Sequence, residues 1–297
     1  MTTHSKFKTH VIKRASPVYY GIQGLLPLKW RRYFVHAVRH RRILHLDQPR
    51  TFSEKLAWRM VYDRRDIFRP TCDKMAMKEL ARERAGELVR TPRTLWSGTD
   101  VAELSSVDLP EHWIIKPNHR SGMVHFGHGA ADVSELARIT DGWLEEDHWQ
   151  KMGEWAYSFA EPALLVEELI GEPGESLLDY KFDVFDGVVR TLVIHVGRFE
   201  NHRRYIFYRD FTRVEAQFVG DQLDPDEKFE KPANYDRMVE AAERIAAGFD
   251  YMRVDLYNVE DEIWFGETTP YQGNATHTFR PADWDRELGT FWTLPQL

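Results

Sequence analysis

Arg253-Val-Asp-Leu-Tyr-Asn-Val-Glu-Asp-Glu-Ile-Trp-Phe-Gly-Glu-Thr-Thr269 is the stretch that decides the fold. It reads as a β-hairpin with Asn258 to Glu262 as its turn region. If the ribbon turns about Asp261, Asp255 and Glu267 lie equally far from the centre and oppose each other, with both carboxylates on one face. Like charges so placed repel, so the pair persists at low cost only when one carboxyl is protonated or a cation sits between them. Thr269, two residues past Glu267, adds a hydroxyl to the same face. Two carboxylates and a hydroxyl form an oxygen-only set that suits Mg²⁺. A solvent-exposed hairpin face, where acids are ordinary, accounts for the same spacing.

Upstream, Tyr235, Met238, Val239, Ala242, Ile245, Ala246 and Phe249 keep helical period up to a stop at Gly248. Tyr180 to Phe185 and Val188 to Val196 flank Asp186-Gly187, the strongest short-range hairpin signal in the chain. Leu95-Trp96, Trp113-Ile114-Ile115 and Leu164-Leu165-Val166 are apolar runs bounded by turns, the pattern of buried strands. Val133 to Trp149 is predicted to be helical, as are Phe52 to Tyr62 and Cys72 to Ala85. Asp221 to Pro232 is a polar loop. Helices mixed with antiparallel hairpins give an α+β fold class.

The chain has 297 residues, 42% hydrophobic and 29% charged, which excludes a disordered chain and allows a sizeable core. Its single cysteine, Cys72, excludes an intrachain disulfide and a cysteine metal cluster, and points to a reducing, cytoplasmic setting. The net charge of −7 is unevenly spread: residues 1–50 hold eleven Lys/Arg against Asp47 alone, a local +10, which leaves −17 for the rest. Such a head suits contact with an anionic polymer or a membrane surface. Within it, Pro27 precedes Trp30, Phe34, Ala37 and Val38 at helical spacing, a basic amphipathic helix that either packs on the body or docks on an anionic surface. The uncharged run Ala15 to Leu28 is broken by prolines and glycines and does not read as a membrane span or signal peptide.

Further candidates follow from residue type. Lys116 ends an apolar run and precedes Pro117-Asn-His-Arg-Ser-Gly122, where Ser121 and Gly122 offer backbone N–H groups to a phosphate; P-loop spacing is absent, and an ordinary surface loop reads the same way. Glu167 and Glu168 close the strand Pro162 to Val166, either as solvent caps or as the lining of a crevice beside Leu169 and Ile170. Asp179, Lys181 and Asp183 share one strand face. Arg198, Arg203, Arg204 and Arg209 are interleaved with aromatic residues; arginines facing a triphosphate fit an acidic body better than a nucleic-acid surface, and no nucleic-acid partner is expected. His119, His125 and His128 match no strong zinc pattern.

Taken in order, these features resemble the ATP-grasp fold. More closely, Thr51-Phe-Ser-Glu-Lys-Leu-Ala-Trp58, Leu178-Asp-Tyr-Lys-Phe182, Arg253-Val-Asp-Leu-Tyr257 and Phe265-Gly-Glu-Thr-Thr269 resemble the TupA-like ATP-grasp family, linked to teichuronopeptide and cell-surface polysaccharide biosynthesis. The resemblance spans residues 50–290. It implies two α+β subdomains clasping ATP behind an N-terminal basic helical extension. The implied division is an extension over 1–50, a helical and linker part over 51–110, a nucleotide subdomain over 111–170 and a metal and substrate subdomain over 171–297.

By the same resemblance, Lys116 holds the α- and β-phosphates, with Lys74 or Lys78 as a second cationic contact. The backbone of Glu168, Leu169 and Ile170 reads adenine with Glu167 nearby, and Asp179 or Glu175 lies near the ribose. Lys181 points toward the phosphates, Arg203 or Arg204 faces the γ-phosphate, and Arg253 supports a hairpin whose Asp255, Glu267 and Thr269 carry Mg²⁺. The sequence departs from the family at His119-Arg-Ser-Gly-Met123, where the family loop is richer in glycine, and at Pro270-Tyr-Gln-Gly-Asn274, which replaces a more apolar continuation. The implied activity is ATP-dependent ligation of a carboxylate and an amine, borne by small molecules or glycans; the expected location is the cytoplasm, either free or peripheral at the inner face of the membrane. A phosphotransferase with a hydroxyl acceptor and a non-catalytic nucleotide- or polysaccharide-binding protein are the alternatives.

Overall fold

The computed structural model describes residues 26–145, 148–174, 177–197 and 202–297. Residues 1–25, half of the basic head together with most of the uncharged run that begins at Ala15, lie outside the described residues, as do Glu175 and Arg198. Among the described residues no helix is long and apolar enough to cross a membrane.

The described residues open with three α-helices, α1 (Leu28–His40), α2 (Phe52–Tyr62) and α3 (Lys74–Ala85). The bounds of α2 follow from a capping box: the Thr51 hydroxyl accepts from Glu54 N at 3.3 Å, and the Glu54 carboxylate accepts from Thr51 N at 3.1 Å. Asp73 starts α3 by accepting from Met75 N and Ala76 N, both at 2.9 Å. Cys72 therefore sits just before that helix rather than within it, and is buried.

Next come β1 (Thr94–Gly98), β2 (His112–Pro117) and β3 (His125–His128), then α4 (Val133–Ile139), α5 (His148–Met152) and β4 (Leu164–Glu168). The helix expected over residues 133–149 ends early, where Thr140 turns its hydroxyl back onto Leu136 O at 2.8 Å. The four strands form an antiparallel sheet in the order β1-β4-β2-β3. One face carries a small core of Leu104, Trp113, Ile115, Leu136, Leu164 and Val166.

A second antiparallel sheet follows, with β5 (Asp179–Phe185), β6 (Val188–Val196) and β7 (Arg203–Tyr208). After β8 (Gln217–Phe218) and α6 (Tyr235–Ile245) it is completed by β9 (Tyr251–Val259) and β10 (Glu262–Thr269). The order is β10-β9-β5-β6-β7, with β5 central and buried along its whole length. Asp186 and Gly187 turn β5 into β6 with φ of 48° and 78°, the left-handed pair that a two-residue hairpin requires. Finally, β11 (Phe279–Arg280) pairs with β8, and α7 (Trp284–Thr290) closes the chain.

Helix α6 packs across β5, β6 and β9, and α3 packs on both α6 and β10. Because α3 also sends Lys78 to Thr94 of β1, it bridges the two sheets. Buried Arg59 of α2 is held by Asp250 at 2.6 Å and anchors that helix to the start of β9.

Helix α1 forms where its spacing predicts, but a different face is covered. Arg32, Val35 and His36 are buried, whereas Trp30 and Val38 are exposed. The inward arginine donates from both terminal nitrogens, to Asn274 Oδ1 at 2.8 Å and Asn274 O at 2.6 Å. A charged residue with two good acceptors displaced the apolar stripe from the body.

Candidate functional site

On the four-stranded sheet, Glu167 organises the site. Its side chain is wholly buried and receives Lys116 Nζ at 2.6 Å and Lys78 Nζ on its other oxygen. Burial pushes the Glu167 carboxyl up, but the two ammonium groups outweigh it and hold the pKa below the usual range. Lys78 also donates to Pro92 O at 2.9 Å and Thr94 Oγ1 at 3.0 Å, so its three donors are all used. Lys116, at the end of β2, is less enclosed and has donors to spare beyond Glu167.

Lys74, on the first turn of α3, donates to Asn118 O at 3.2 Å and to Arg120 O. Burial is the main force lowering its pKa to about 8; Lys116 adds to that, while Glu267 and Glu167 oppose it. Lys74 therefore feels acids from both sheets. The loop after β2 is fixed by buried Asn118, which donates to Asp73 Oδ2 at 2.7 Å and Glu161 O at 2.9 Å and accepts from Met75 N at 3.1 Å. Beyond it Ser121 and Gly122 are exposed, and Gly122 has φ of 78°. Past Glu167 the chain emerges: Glu168, Leu169 and Ile170 are half-buried, and Glu168 accepts from Arg93 N at 2.8 Å.

On the five-stranded sheet, Asp255 and Glu267 are register partners, but not by simple counting. The turn is the two-residue pair Glu260 and Asp261, with φ of 51° and 61°, so unbroken pairing would set Asp255 opposite Gly266. A bulge at Gly266 advances the strand by one residue and brings Glu267 into place. A Cβ there would come within 3.0 Å of the Tyr257 ring and 3.1 Å of Asp255 O, which is why this bulge position carries glycine.

The repulsion between the two carboxylates is resolved by a cation from the chain itself. Arg253 Nη2 lies 2.8 Å from Asp255 Oδ2, 2.9 Å from Glu267 Oε1 and 3.2 Å from Thr269 Oγ1. Three oxygens thus converge on one nitrogen. Arg253 Nε reaches Asp255 Oδ1 at 2.6 Å, and Lys181 bonds Asp255 and also Asp179, the latter at 2.7 Å. Burial raises the Asp255 pKa, but Arg253 and Lys181 overcome it and hold it low. Lys181 and Asp255 face each other across β5 and β9. The face shared by Asp179, Lys181 and Asp183 is thus buried and not wet.

The arginine loop is directed elsewhere. Arg203 pairs with Glu227 at 2.7 Å, and Arg204 pairs with Asp221 through two bonds of 2.8 and 2.7 Å. The histidines also separate: His119 is buried against Glu145 O, while His128 lies across the strands from His112.

Three residues escaped the sequence reading. Asn118 is an ordinary loop residue by type. Glu154 is buried, accepts from Asn274 Nδ2 at 2.9 Å, and has its pKa raised to about 7, chiefly by burial. Asn274 joins it to Arg32 of α1. The only sequence signal was the departure at Pro270 to Asn274.

Comparison with known proteins completes the description. A family model described as TupA-like ATP-grasp matches residues 54–293. No curated protein matches the chain. Among solved structures, a D-alanine–D-alanine ligase of Bacillus anthracis in complex with ATP is 17% identical over 69% of this chain and 55% of its own, with a TM-score of 0.39. The corresponding ligase of Helicobacter pylori is 15% identical over 76% and 61%, with a TM-score of 0.42. The ATP-grasp ligase PsnB, complexed with a phosphomimetic variant of its minimal precursor, Mg and ADP, is 18% identical over 74% and 57%, with a TM-score of 0.35. The chain thus spans between half and two thirds of the length of these ligases.

Proposed function

The chain belongs to the TupA-like ATP-grasp family, and from that premise we propose that it is an ATP-dependent carboxylate–amine ligase acting on a cell-surface polysaccharide precursor, an amino acid or a related small molecule. The observation that carries the reading is the convergence of Asp255, Glu267 and Thr269 oxygens on a single point, beside lysines drawn from both sheets. In this reading ATP lies between the sheets, its adenine along the backbone of Glu168 to Ile170 and its ribose toward Asp179. Lys116 and Lys74 meet the phosphates. Lys78, with every donor used, is the weaker candidate of the pair Lys74 and Lys78 and serves to fix Glu167.

The convergent donor set is all oxygen and fits a hard divalent ion, so Asp255, Glu267 and Thr269 are the residues that would hold Mg²⁺. Bound there, Mg²⁺ would offset charge on the transferring phosphoryl group. The remaining work falls to the chain. Lys116, Lys74 and Lys181 orient the triphosphate, and Arg253, whose guanidinium occupies the focus of those three oxygens and would give way to the ion, keeps a positive charge beside the γ-phosphate. A substrate carboxylate attacks that phosphorus in line and releases ADP. An amine then adds to the acyl phosphate, loses a proton and expels inorganic phosphate to leave an amide. No protein nucleophile is required. Because ATP is the co-substrate, the reaction belongs in the cytoplasm or at the inner face of the membrane.

The test is a screen of carboxylate and amine pairs for ADP release, with mass spectrometry of the product. An amide with inorganic phosphate supports the ligase. A stable phosphorylated product instead makes the protein a phosphotransferase, and failure to bind MgATP rejects both.

A further inference from the structure

His128, one of three histidines that the sequence sets close together, meets a different histidine in the fold. The ladder of β2 and β3 pairs it with His112, and the two ring centroids are 4.9 Å apart. Gly129 N donates to Glu111 O at 2.8 Å, one residue outside the pair on each strand. His112 and His128 are therefore a non-hydrogen-bonded pair, the kind whose side chains lie closest. Glu111, in the bend before β2, turns its carboxylate onto the same pair: Oε1 lies 3.4 Å from His128 Nε2 and 4.0 Å from His112 Nε2. Each residue brings a ligand atom within 4.8 Å of the other two.

These spacings suit an ion. Donors about 2.0–2.2 Å from a tetrahedral centre are about 3.3 Å apart. The Glu111–His128 separation of 3.4 Å already meets that spacing, and His112 can close the remainder by turning a partly exposed ring. The backbone beneath is fixed. The Trp113 indole crosses β3 at Gly127, where a Cβ would collide with the ring, and it donates to Gly129 O at 2.8 Å. Both histidines thus stand on strands that are already locked together.

The donor chemistry separates this place from the hairpin of Asp255 and Glu267. Two imidazoles and one carboxylate leave a fourth position for water and favour Zn²⁺ or a similar transition-metal ion over Mg²⁺, which prefers oxygen ligands in an octahedron. His112 and Lys116 share a face of β2 but lie four residues apart, about 13 Å along the strand. An ion held by His112 would sit well away from the lysines around Glu167.

We propose that Glu111, His112 and His128 form a binding site for a divalent transition-metal ion of the Zn²⁺ type. The ion ties the edge strand β3 to β2, and so closes the hairpin whose loop carries Ser121 and Gly122. The site does not rest on the ligase reading.

The experiment is calorimetric titration of Zn²⁺ into the full, untagged chain in excess Mg²⁺, which keeps oxygen-only sites occupied, repeated on H128Q and H112Q/H128Q. Neither histidine is buried, so folding is expected to survive. The expected result is a tight Zn²⁺ site in the wild type, weakened at least about tenfold in H128Q and lost in the double variant. Zn²⁺ should also raise the melting temperature of the wild type and leave that of H112Q/H128Q unmoved. Absence of Zn²⁺ binding, or undiminished affinity in H112Q/H128Q, overturns the site. E111Q is expected to weaken binding as well; full affinity in it overturns the three-ligand set.

Discussion

The two sheets bring opposite charge to the same site. From the four-stranded sheet and the helix that leans on it come Lys74, Lys78 and Lys116 around one acid, Glu167. From the five-stranded sheet come Asp179, Asp255 and Glu267 around Lys181 and Arg253. Each cluster balances its buried charges internally and keeps a surplus, positive on one side and negative on the other. In the proposed ligase that difference divides the labour: the first cluster would hold a polyanion, and the second a cation that accompanies it.

The sharpest way to break the comparison is to remove the acid that anchors the cationic side. Glu167→Ala leaves buried Lys78 unpaired, and stability should fall by about 3–5 kcal/mol in urea denaturation. A loss under about 1 kcal/mol would show that Glu167 is not the anchor. On the anionic side, Glu267→Gln is the cleaner probe of the metal assignment, because its side chain is 32% exposed while that of Asp255 is 2% exposed and bonded to two cations. Turnover should drop by about 100-fold or more with thermal stability nearly intact. Undiminished Mg²⁺-dependent turnover would remove Glu267 from the site. Lys116→Met should weaken ATP binding about tenfold, the worth of one charge-assisted phosphate contact, and direct titration of the nucleotide measures it.

A smaller effect concerns pH. The folded pKa of Glu154 is raised from 4.5 to about 7, so the native state holds a proton that the unfolded state has released across that window. Stability from this group is fully present below pH 4.5 and is lost as pH rises through about 7. Chemical denaturation of wild type and Glu154→Gln across pH 4–8 should show a shallower decline in the variant; identical slopes would refute the assignment. The least effect is expected from Thr51→Ala, which removes a helix cap far from either cluster. It should cost about 1 kcal/mol and leave ATP affinity unchanged.

Much of this was legible in the sequence wherever the signal is local. The Asp186-Gly187 turn, the bounds of α2 and the runs that became β1, β2 and β4 follow from neighbouring residues alone. The facing of Asp255 and Glu267 was inferred from a turn centred on Asp261. The molecule reaches it through a shorter turn and a bulge, because pairing geometry responds to a glycine that simple counting ignores. What stayed hidden is long-range: Lys78 meets Glu167 only after α3 has crossed to the other sheet, and no spacing records that. The buried face of α1 was misread for a related reason, since Arg32 becomes an interior residue only once Asn274 is beside it. Arg203 and Arg204, read as facing phosphate, found Glu227 and Asp221 in a loop whose composition promised only polarity.

The Arg253 guanidinium at the focus of three oxygens also bears on how the protein comes to be made. A hairpin that carries its own counter-ion can close during synthesis without waiting for a divalent ion, unlike small domains that stay unfolded until metal arrives. Maturation then requires no metallation step, and preparation in a chelator should yield the same folded chain as preparation in magnesium.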